Sequence, residues 1–377
     1  MRKVGIVTLY RGYNYGTSLQ AYALKTVIEN LGYKAEIIWS KENAHSGRDI
    51  RLIKILRMGM RMIRHPQLFK TTFNGYKKSL GTPVDAEIKQ TFIDFEAKYL
   101  QVIGMSKREL KRYAKSKDTA AVVCGSDQIW SAAGANVEPL YYLRFAPRQK
   151  RVAYAPSFGT SEIPSYNRAI IKKYISEFNR ISVREDRGAE MIKDLLGIEV
   201  PVLVDPTLLL GWDEWRIGER AKDYILLYFL DEPNDDVIAY IQQLNTHLNI
   251  DIYALPYRFG RYDKLPFIKY MMAGPKEFVS LVANAKLVVT DSFHGTAFSI
   301  NFNVPFYTFA RNYGGVQQTS RITSLLHILG LESQYINGHR QDWKLMPTVD
   351  FIKANAVLTE QRKLAKSYLR EAIESSS

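Results

Sequence analysis

Three segments of this sequence combine proton-transfer, anion-binding and stacking side chains within a few residues each. In Thr290-Asp291-Ser292-Phe293-His294-Gly295-Thr296 a histidine follows an acid and a hydroxyl at the end of an apolar run. Histidine is the side chain best suited to proton transfer near neutral pH, so His294 is the candidate acid–base group. In Cys124-Gly125-Ser126-Asp127-Gln128-Ile129-Trp130, Gly125 permits a turn, Asp127 and Gln128 present polar groups, and Trp130 offers a face for a sugar ring. The plainer alternative is a capped turn over a buried tryptophan. In Arg11-Gly12-Tyr13-Asn14-Tyr15-Gly16-Thr17-Ser18 two glycines allow close backbone approach at a helix start, where unpaired N–H groups attract anions. That segment is neither a dinucleotide fingerprint nor a P-loop, and its bland reading is a turn with Ser18 as the helix cap. Arg184, Arg311 and Arg321 each stand at a strand end or helix start and suit bidentate binding of phosphate or carboxylate.

Positioning these residues requires an alternation of strands and helices. Val4–Leu9 reads as a buried strand, Ser18–Leu31 as a helix with Gly32 at its C-terminal end, and Tyr33–Trp39 as the next strand. A βαβ unit of this kind predicts a parallel sheet. Further strands are expected at 120–124, 151–155, 181–184 and 202–204, with helices over 166–178 and 187–196. The alternation restarts at Tyr224 and ends in a charged amphipathic helix over Thr359–Ser375. The fold class is α/β, two tandem Rossmann-like units facing across a cleft, with a boundary near Asp205–Asp223. Ligands are expected where the C-terminal strand ends of both sheets face each other.

With 46% hydrophobic and 24% charged residues, the composition excludes disordered and fibrous classes. The lone Cys124 excludes an intramolecular disulfide framework and a cysteine-cluster metal site. No run approaches a spanning helix and the N-terminus lacks a secretory pattern, so a cytoplasmic protein is expected. The net charge of +14 draws the chain to anions. Much of the excess lies in a stretch where Arg51, Lys54, Arg57, Arg61 and Arg64 recur beside Leu52, Ile53, Ile55, Leu56, Met60 and Ile63, a basic amphipathic helix.

Taken in order, these residues resemble the polysaccharide pyruvyl transferase family. The matching pieces are Asn14-Tyr15-Gly16 with Leu19-Gln20 and Ala23, Gly125 to Trp130, Ser182-Val183-Arg184-Glu185, Asp205-Pro206-Thr207, Asp291 to Gly295, and Ser320-Arg321-Ile322 with Ser324-Leu325-Leu326. The resemblance implies transfer of pyruvate from phosphoenolpyruvate to a sugar as a ketal, in cell-surface polysaccharide biosynthesis, on a GT-B-like fold. It implies catalytic roles for His294, Asp127 and Asp291, with phosphoenolpyruvate as co-substrate and no resident cofactor or metal. Donor contacts would come from Arg184, Ser292, Gly295, Arg311 and Arg321, and acceptor contacts from Tyr13, Asn14, Tyr15, Gly16, Ser126, Gln128 and Trp130. Relatives carry Arg-Leu-His-Gly where this chain has Ser292-Phe293-His294-Gly295. The histidine carries over and the arginine does not, so the missing cation comes from Arg311 or Arg321, or the donor differs.

The domain reading is 1–210 on the acceptor side, 211–345 on the donor side, and a helical segment 346–377 packing back on the first domain. A lipid-linked acceptor would suit docking of the Arg51–Arg64 helix on an anionic inner leaflet. Two other readings stay open. One is a nucleotide-sugar glycosyltransferase with Asp251 and Tyr253 lining its pocket; the other is a non-enzymatic basic module for membrane or nucleic acid. No nucleic-acid recognition motif is present, and a nucleic-acid partner is not expected.

Overall fold

A computed structural model describes residues 1–41, 55–56, 59–60, 63, 86–133, 137–215, 224–255, 261–313, 316–317, 320–337 and 344–376. The first sheet contains β1 (Lys3–Val7), β2 (Lys34–Ser40), β3 (Ile103–Met105), β4 (Thr119–Cys124), β5 (Arg151–Ala153) and β6 (Arg180–Ile181). Its order is β3-β2-β1-β4-β5-β6, with every neighbouring pair parallel. The second contains β7 (Tyr224–Tyr228), β8 (Asp251–Ala254), β9 (Ile268–Tyr270), β10 (Leu287–Thr290), β11 (Phe306–Phe309) and, after a small hairpin of β12 (Asn312–Tyr313) and β13 (Val316–Gln317), β14 (Tyr335–Ile336). Its order, β14-β11-β10-β7-β8-β9, repeats the first when counted from β7, again all parallel. This is the doubly wound Rossmann order twice, as the alternation predicts. Buried runs such as Leu287–Thr290 and Thr119–Cys124 explain the all-parallel pairing, since both sheet faces are covered.

In each sheet the chain reverses its winding between two central strands, β1 and β4 in the first and β7 and β10 in the second. Loops leaving such a pair diverge and open a crevice. All three segments singled out in the sequence leave one of these strands.

Among the described residues the longer helices are α1 (Tyr15–Asn30), α2 (Ala86–Phe95), α3 (Lys107–Lys115), α4 (Ser165–Ile175), α5 (Asp186–Leu196), α6 (Asp235–His247), α7 (Pro275–Asn284), α8 (Phe293–Asn301), α9 (Ser320–Leu329) and α10 (Phe351–Glu374). α1 starts earlier than its apolar spacing suggests. Asn14 is the cap, accepting from the Thr17 N–H at 3.2 Å, while the Ser18 hydroxyl donates to the Tyr10 carbonyl. Ser18 is therefore not the helix cap. α2 and α3 escape the periodicity reading, and α10 begins eight residues before Thr359 because Asp350 caps it.

One hydrophobic cluster runs through both halves, joining Val4 and Leu24 to Leu226, Phe298 and Leu369. Tyr15 is a rivet in that contact. Its ring stacks on Phe278 at 4.6 Å and its hydroxyl donates to the Ala273 carbonyl. α10 reaches back across the junction, with Tyr368 donating to the Ala153 carbonyl and Arg362 to Leu208 and Asn301. Among the described residues no helix is long and apolar enough to cross a membrane. Of the expected basic helix, Arg51, Lys54, Arg57, Arg61 and Arg64 lie outside the described residues. Ile55, Leu56, Met60 and Ile63 are helical and exposed.

Candidate active site

Asp127 follows β4 with φ +62°, a region that a non-glycine residue adopts only under constraint. Its Oδ2 accepts from the Thr17 hydroxyl at 2.8 Å, in the first turn of α1. Its Oδ1 lies 3.5 Å from Arg184 Nη2 and 3.9 Å from Arg321 Nη1. The Arg184 guanidinium sits 4.5 Å over the Phe293 ring and donates through Nη1 to Asp205 Oδ2 at 2.6 Å. Asp205 in turn accepts from Ser126, from the Thr207 hydroxyl and from the Thr207 N–H. His294 lies in the first turn of α8, with Nε2 3.9 Å from Asp205 Oδ2. Its ring rests on α1: a Cβ at Gly16 would fall 1.9 Å from His294 Nδ1. The first sheet thus supplies Thr17, Asp127, Arg184 and Asp205, and the second supplies Phe293, His294 and Arg321.

These groups are buried, and their charges answer one another. Burial by itself would raise Asp127 and Asp205, but Arg184 and His294 outweigh it and both carboxyls end below the usual carboxylate range. Burial would likewise lower Arg184, yet Asp205, Asp127 and Glu185 hold it above the ordinary arginine value. Burial lowers His294 despite Asp205 and Asp127. Burial and the neighbouring Arg184 bring Arg321 down to about 10. Glu185 accepts from the Ser157 hydroxyl and is pushed up by burial.

Not all donors are used. Arg184 Nε and Nη2 and His294 Nε2 are buried without a hydrogen-bond partner among the described residues. An unsatisfied buried donor costs roughly 1–3 kcal/mol, more when charged. Arg184 Nη2 lies 3.5 Å from Asp127, Arg184 Nε 4.0 Å from Glu185 and His294 Nε2 3.9 Å from Asp205, so each is near a carboxylate without bonding it and keeps capacity for a further acceptor.

A second cluster forms where β7 and β10 end. Both Asp291 oxygens accept backbone N–H groups, from Leu230 at 2.6 Å and Asp231 at 2.8 Å. Arg311 Nε lies 3.2 Å from Asp231 and 3.9 Å from Asp291. Burial raises Asp291 to about 7 against these favourable partners.

The model of one protein family, polysaccharide pyruvyl transferase, matches residues 14–313. The chain belongs to the polysaccharide pyruvyl transferase family. It is therefore a member of a family of transferases acting on polysaccharide. No curated protein sequence matches the chain. Among solved structures it is similar to MurG of Acinetobacter baumannii, with 10% identity over 100% of this chain and 94% of that one and a TM-score of 0.41. It is also similar to E. coli heptosyltransferase WaaC with ADP, at 13% identity over 98% and 99% of the two chains and a TM-score of 0.38. A third is the UDP-GlcNAc 2-epimerase of Methanocaldococcus jannaschii, at 16% identity over 96% and 99% and a TM-score of 0.40.

In this family member the buried contact between the two halves brings together His294, Asp127, Arg184 and Arg321 of the residues expected from the sequence. Several others are placed differently. Trp130 is fully buried, stacked on Tyr142 with its N–H given to the Tyr141 carbonyl, so it is core and offers no face to a sugar. Tyr15 is the inter-half rivet, Asn14 the cap of α1, and Gly16 the surface on which His294 lies. Ser292 caps α8 by accepting from the Gly295 N–H, and Gly295 is required because a Cβ there would meet Thr290 Oγ1 at 2.5 Å. Ser126 is buried and braces Asp205 and the Ala155 carbonyl. Asp291 and Arg311 belong to the second cluster; it is Asp205 that faces His294. Gln128 packs against Gly159 with its amide nitrogen buried and unpartnered among the described residues. Tyr13 is partly exposed at φ +54°. Asp251 is paired with Lys269 on the surface, and Tyr253 stacks on Tyr224.

The sequence reading does not single out Asp205, Glu185, Thr17 or Phe293 as site residues. The signal for Asp205 was present, because an acid before Pro206 at a strand end is a strong turn and cap former.

Proposed function

We propose that this protein transfers pyruvate from phosphoenolpyruvate to two hydroxyls of a saccharide, forming a ketal and releasing inorganic phosphate. The observation that carries this reading is the set of unpartnered buried nitrogens on Arg184 and His294. Phosphoenolpyruvate brings a phosphate and a carboxylate, the acceptor groups that an arginine fork recognises best. Arg321 takes the part of the cation that Ser292 does not supply. It sits 3.9 Å from Asp127 inside the cluster, whereas Arg311 is engaged with Asp231 and Asp291.

In the reaction a proton adds to the methylene carbon and makes C2 electrophilic. One sugar hydroxyl bonds to C2 and loses its proton. The C2–O bond to phosphate then breaks and a second hydroxyl bonds to C2. One hydroxyl proton balances the new methyl group and the other leaves with phosphate. His294 is the acid that protonates the methylene carbon, and Asp127 accepts a hydroxyl proton. Asp205 orients His294 and Arg184 without touching substrate.

Thermal melting with phosphoenolpyruvate against UDP-sugars and GDP-sugars tests the donor. A ligand that binds only the folded chain stabilises it by about 2.7 kcal/mol at a hundred times its dissociation constant. Phosphoenolpyruvate is expected to raise the midpoint in the wild type and not in Arg184→Lys, which removes the fork while keeping the charge. Stabilisation by a nucleotide sugar and none by phosphoenolpyruvate would overturn the proposal.

A further inference from the structure

Among the described residues the guanidinium of Arg184 is hydrogen-bonded at one corner. Its Nη1 donates to Asp205 Oδ2 at 2.6 Å, while Asp127 at 3.5 Å and Glu185 at 4.0 Å attract it without a hydrogen bond. A planar group held by one bond can swing about it and carry its other nitrogens out of line. The Phe293 ring blocks that swing, because the guanidinium sits 4.5 Å over it. We propose that Phe293 is a positioning residue of the transfer reaction, its ring face holding the Arg184 fork in the orientation that meets the donor's anionic groups. The assignment rests on the pyruvyl-transfer reading for the identity of the donor, and on the ring's own geometry for its action on Arg184.

The ring is carried by a tied turn. Phe293 is the first residue of α8, which Ser292 caps by accepting from the Gly295 N–H. The Ser292 N–H donates to Thr290 Oγ1 at 3.0 Å. Asp291 accepts the Leu230 and Asp231 N–H groups, so it ties the same turn to the end of β7. From this seat the Phe293 ring stands at 88° to the His294 imidazole, with centroids 5.1 Å apart. One aromatic ring therefore borders both groups assigned to the donor, Arg184 from the first half and His294 from the second.

The contact is electrostatic as well as apolar. A cation over an aromatic face is attracted by the ring quadrupole, most strongly where water is excluded. Arg184 is 3% exposed and Phe293 5%, so little water screens the pair. The contact also crosses between the halves: Asp205 holds one corner of the fork from the first, and Phe293 holds its face from the second. The fork is fully oriented only while the two halves are together. A site that is binding-competent for a fraction of the time loses affinity by that fraction, so a fork aligned about one-tenth of the time binds about tenfold more weakly.

Replacing Phe293 by phenylalanines bearing successively more ring fluorines tests the assignment, since fluorine drains the negative face of the ring and adds little volume. Titration calorimetry is expected to give a dissociation constant for phosphoenolpyruvate that rises step by step along the series, to about tenfold for the most fluorinated ring. Apolar packing alone would not follow the fluorine count. A wild type that binds phosphoenolpyruvate, with a constant unchanged along the series, overturns the positioning role. The Arg184 Nε–H resonance gives a readout that needs no donor. Assigned by its absence in Arg184→Lys, it is expected to be shifted upfield by the Phe293 ring current and to lose that shift in Phe293→Leu. A wild type that ignores phosphoenolpyruvate yet shows this shift, and loses it in Phe293→Leu, keeps the ring's hold on Arg184 and removes pyruvyl transfer. A resonance without the shift, or one unmoved in Phe293→Leu, overturns the hold itself.

Discussion

His294 carries a tension between its setting and its assigned work. Burial lowers its pKa below the ordinary histidine value, so near pH 7.5 the imidazole is neutral and has no proton to give. A multiply charged anion accepting from Arg184 and His294 reverses the balance, because the charged imidazole gains a partner that burial alone denies it. Donor binding and protonation are then linked, and His294's share of the affinity grows as pH falls. Titration calorimetry of phosphoenolpyruvate at about pH 7.5, in buffers of different ionisation enthalpy, is expected to show net proton uptake. His294→Asn should remove most of that uptake. Equal uptake by both proteins would assign the proton to the ligand or to another group, and His294 would lose its role as acid.

At the scale of elements the site is a contact between two helix starts, α1 and α8. Gly16 makes a close approach in that contact, since any Cβ there collides with the His294 ring. Gly16→Ala must push the ring aside, and overpacking of this kind costs about 1–3 kcal/mol. A displacement of about 1 Å at a reacting group can cost on the order of a hundredfold in rate. The expected outcome is a modest fall in melting temperature with a loss of turnover far larger than stability explains. Unchanged phosphate release by Gly16→Ala would show that the ring's seat on α1 is dispensable. The same contact explains what the sequence made legible. His294, Asp127 and Arg184 stand out because each polar group ends an apolar strand, and the Rossmann alternation says which strand ends open the crevice. Trp130 misled for a related reason: a strand-end loop carries its ligand groups in its first residues, and here the chain has already turned inward, onto Tyr142, by Trp130. Asp205 acts through Arg184, twenty-one residues earlier in sequence, and Thr17 through Asp127, a hundred and ten later; no local spacing announces such pairings.

For the whole molecule the unanswered quantity is charge. The site is internally compensated, Asp127 and Asp205 against Arg184 and Arg321, so the net +14 is not consumed by the chemistry. A large share falls in the stretch Arg48 to Lys78, where Asp49 is the one acid. Ile55, Leu56, Met60 and Ile63 of that stretch are exposed, Ile63 by 81%, and four large apolar side chains so close in sequence and turned to solvent are uncommon. Basic residues interleaved in sequence with exposed apolar side chains fit an anionic bilayer, to which each Lys or Arg near the surface adds about 1 kcal/mol. The protein is expected to sediment with phosphatidylglycerol vesicles and not with phosphatidylcholine vesicles. About 1 M salt, where the Debye length is ~3 Å, should release most of it. Leu56→Glu with Ile63→Glu should weaken binding at low salt while leaving the melting temperature and the response to phosphoenolpyruvate alone, because both side chains lie outside the described core. Equal binding to both vesicle types, or to neither, would mean that the excess charge answers something other than a membrane.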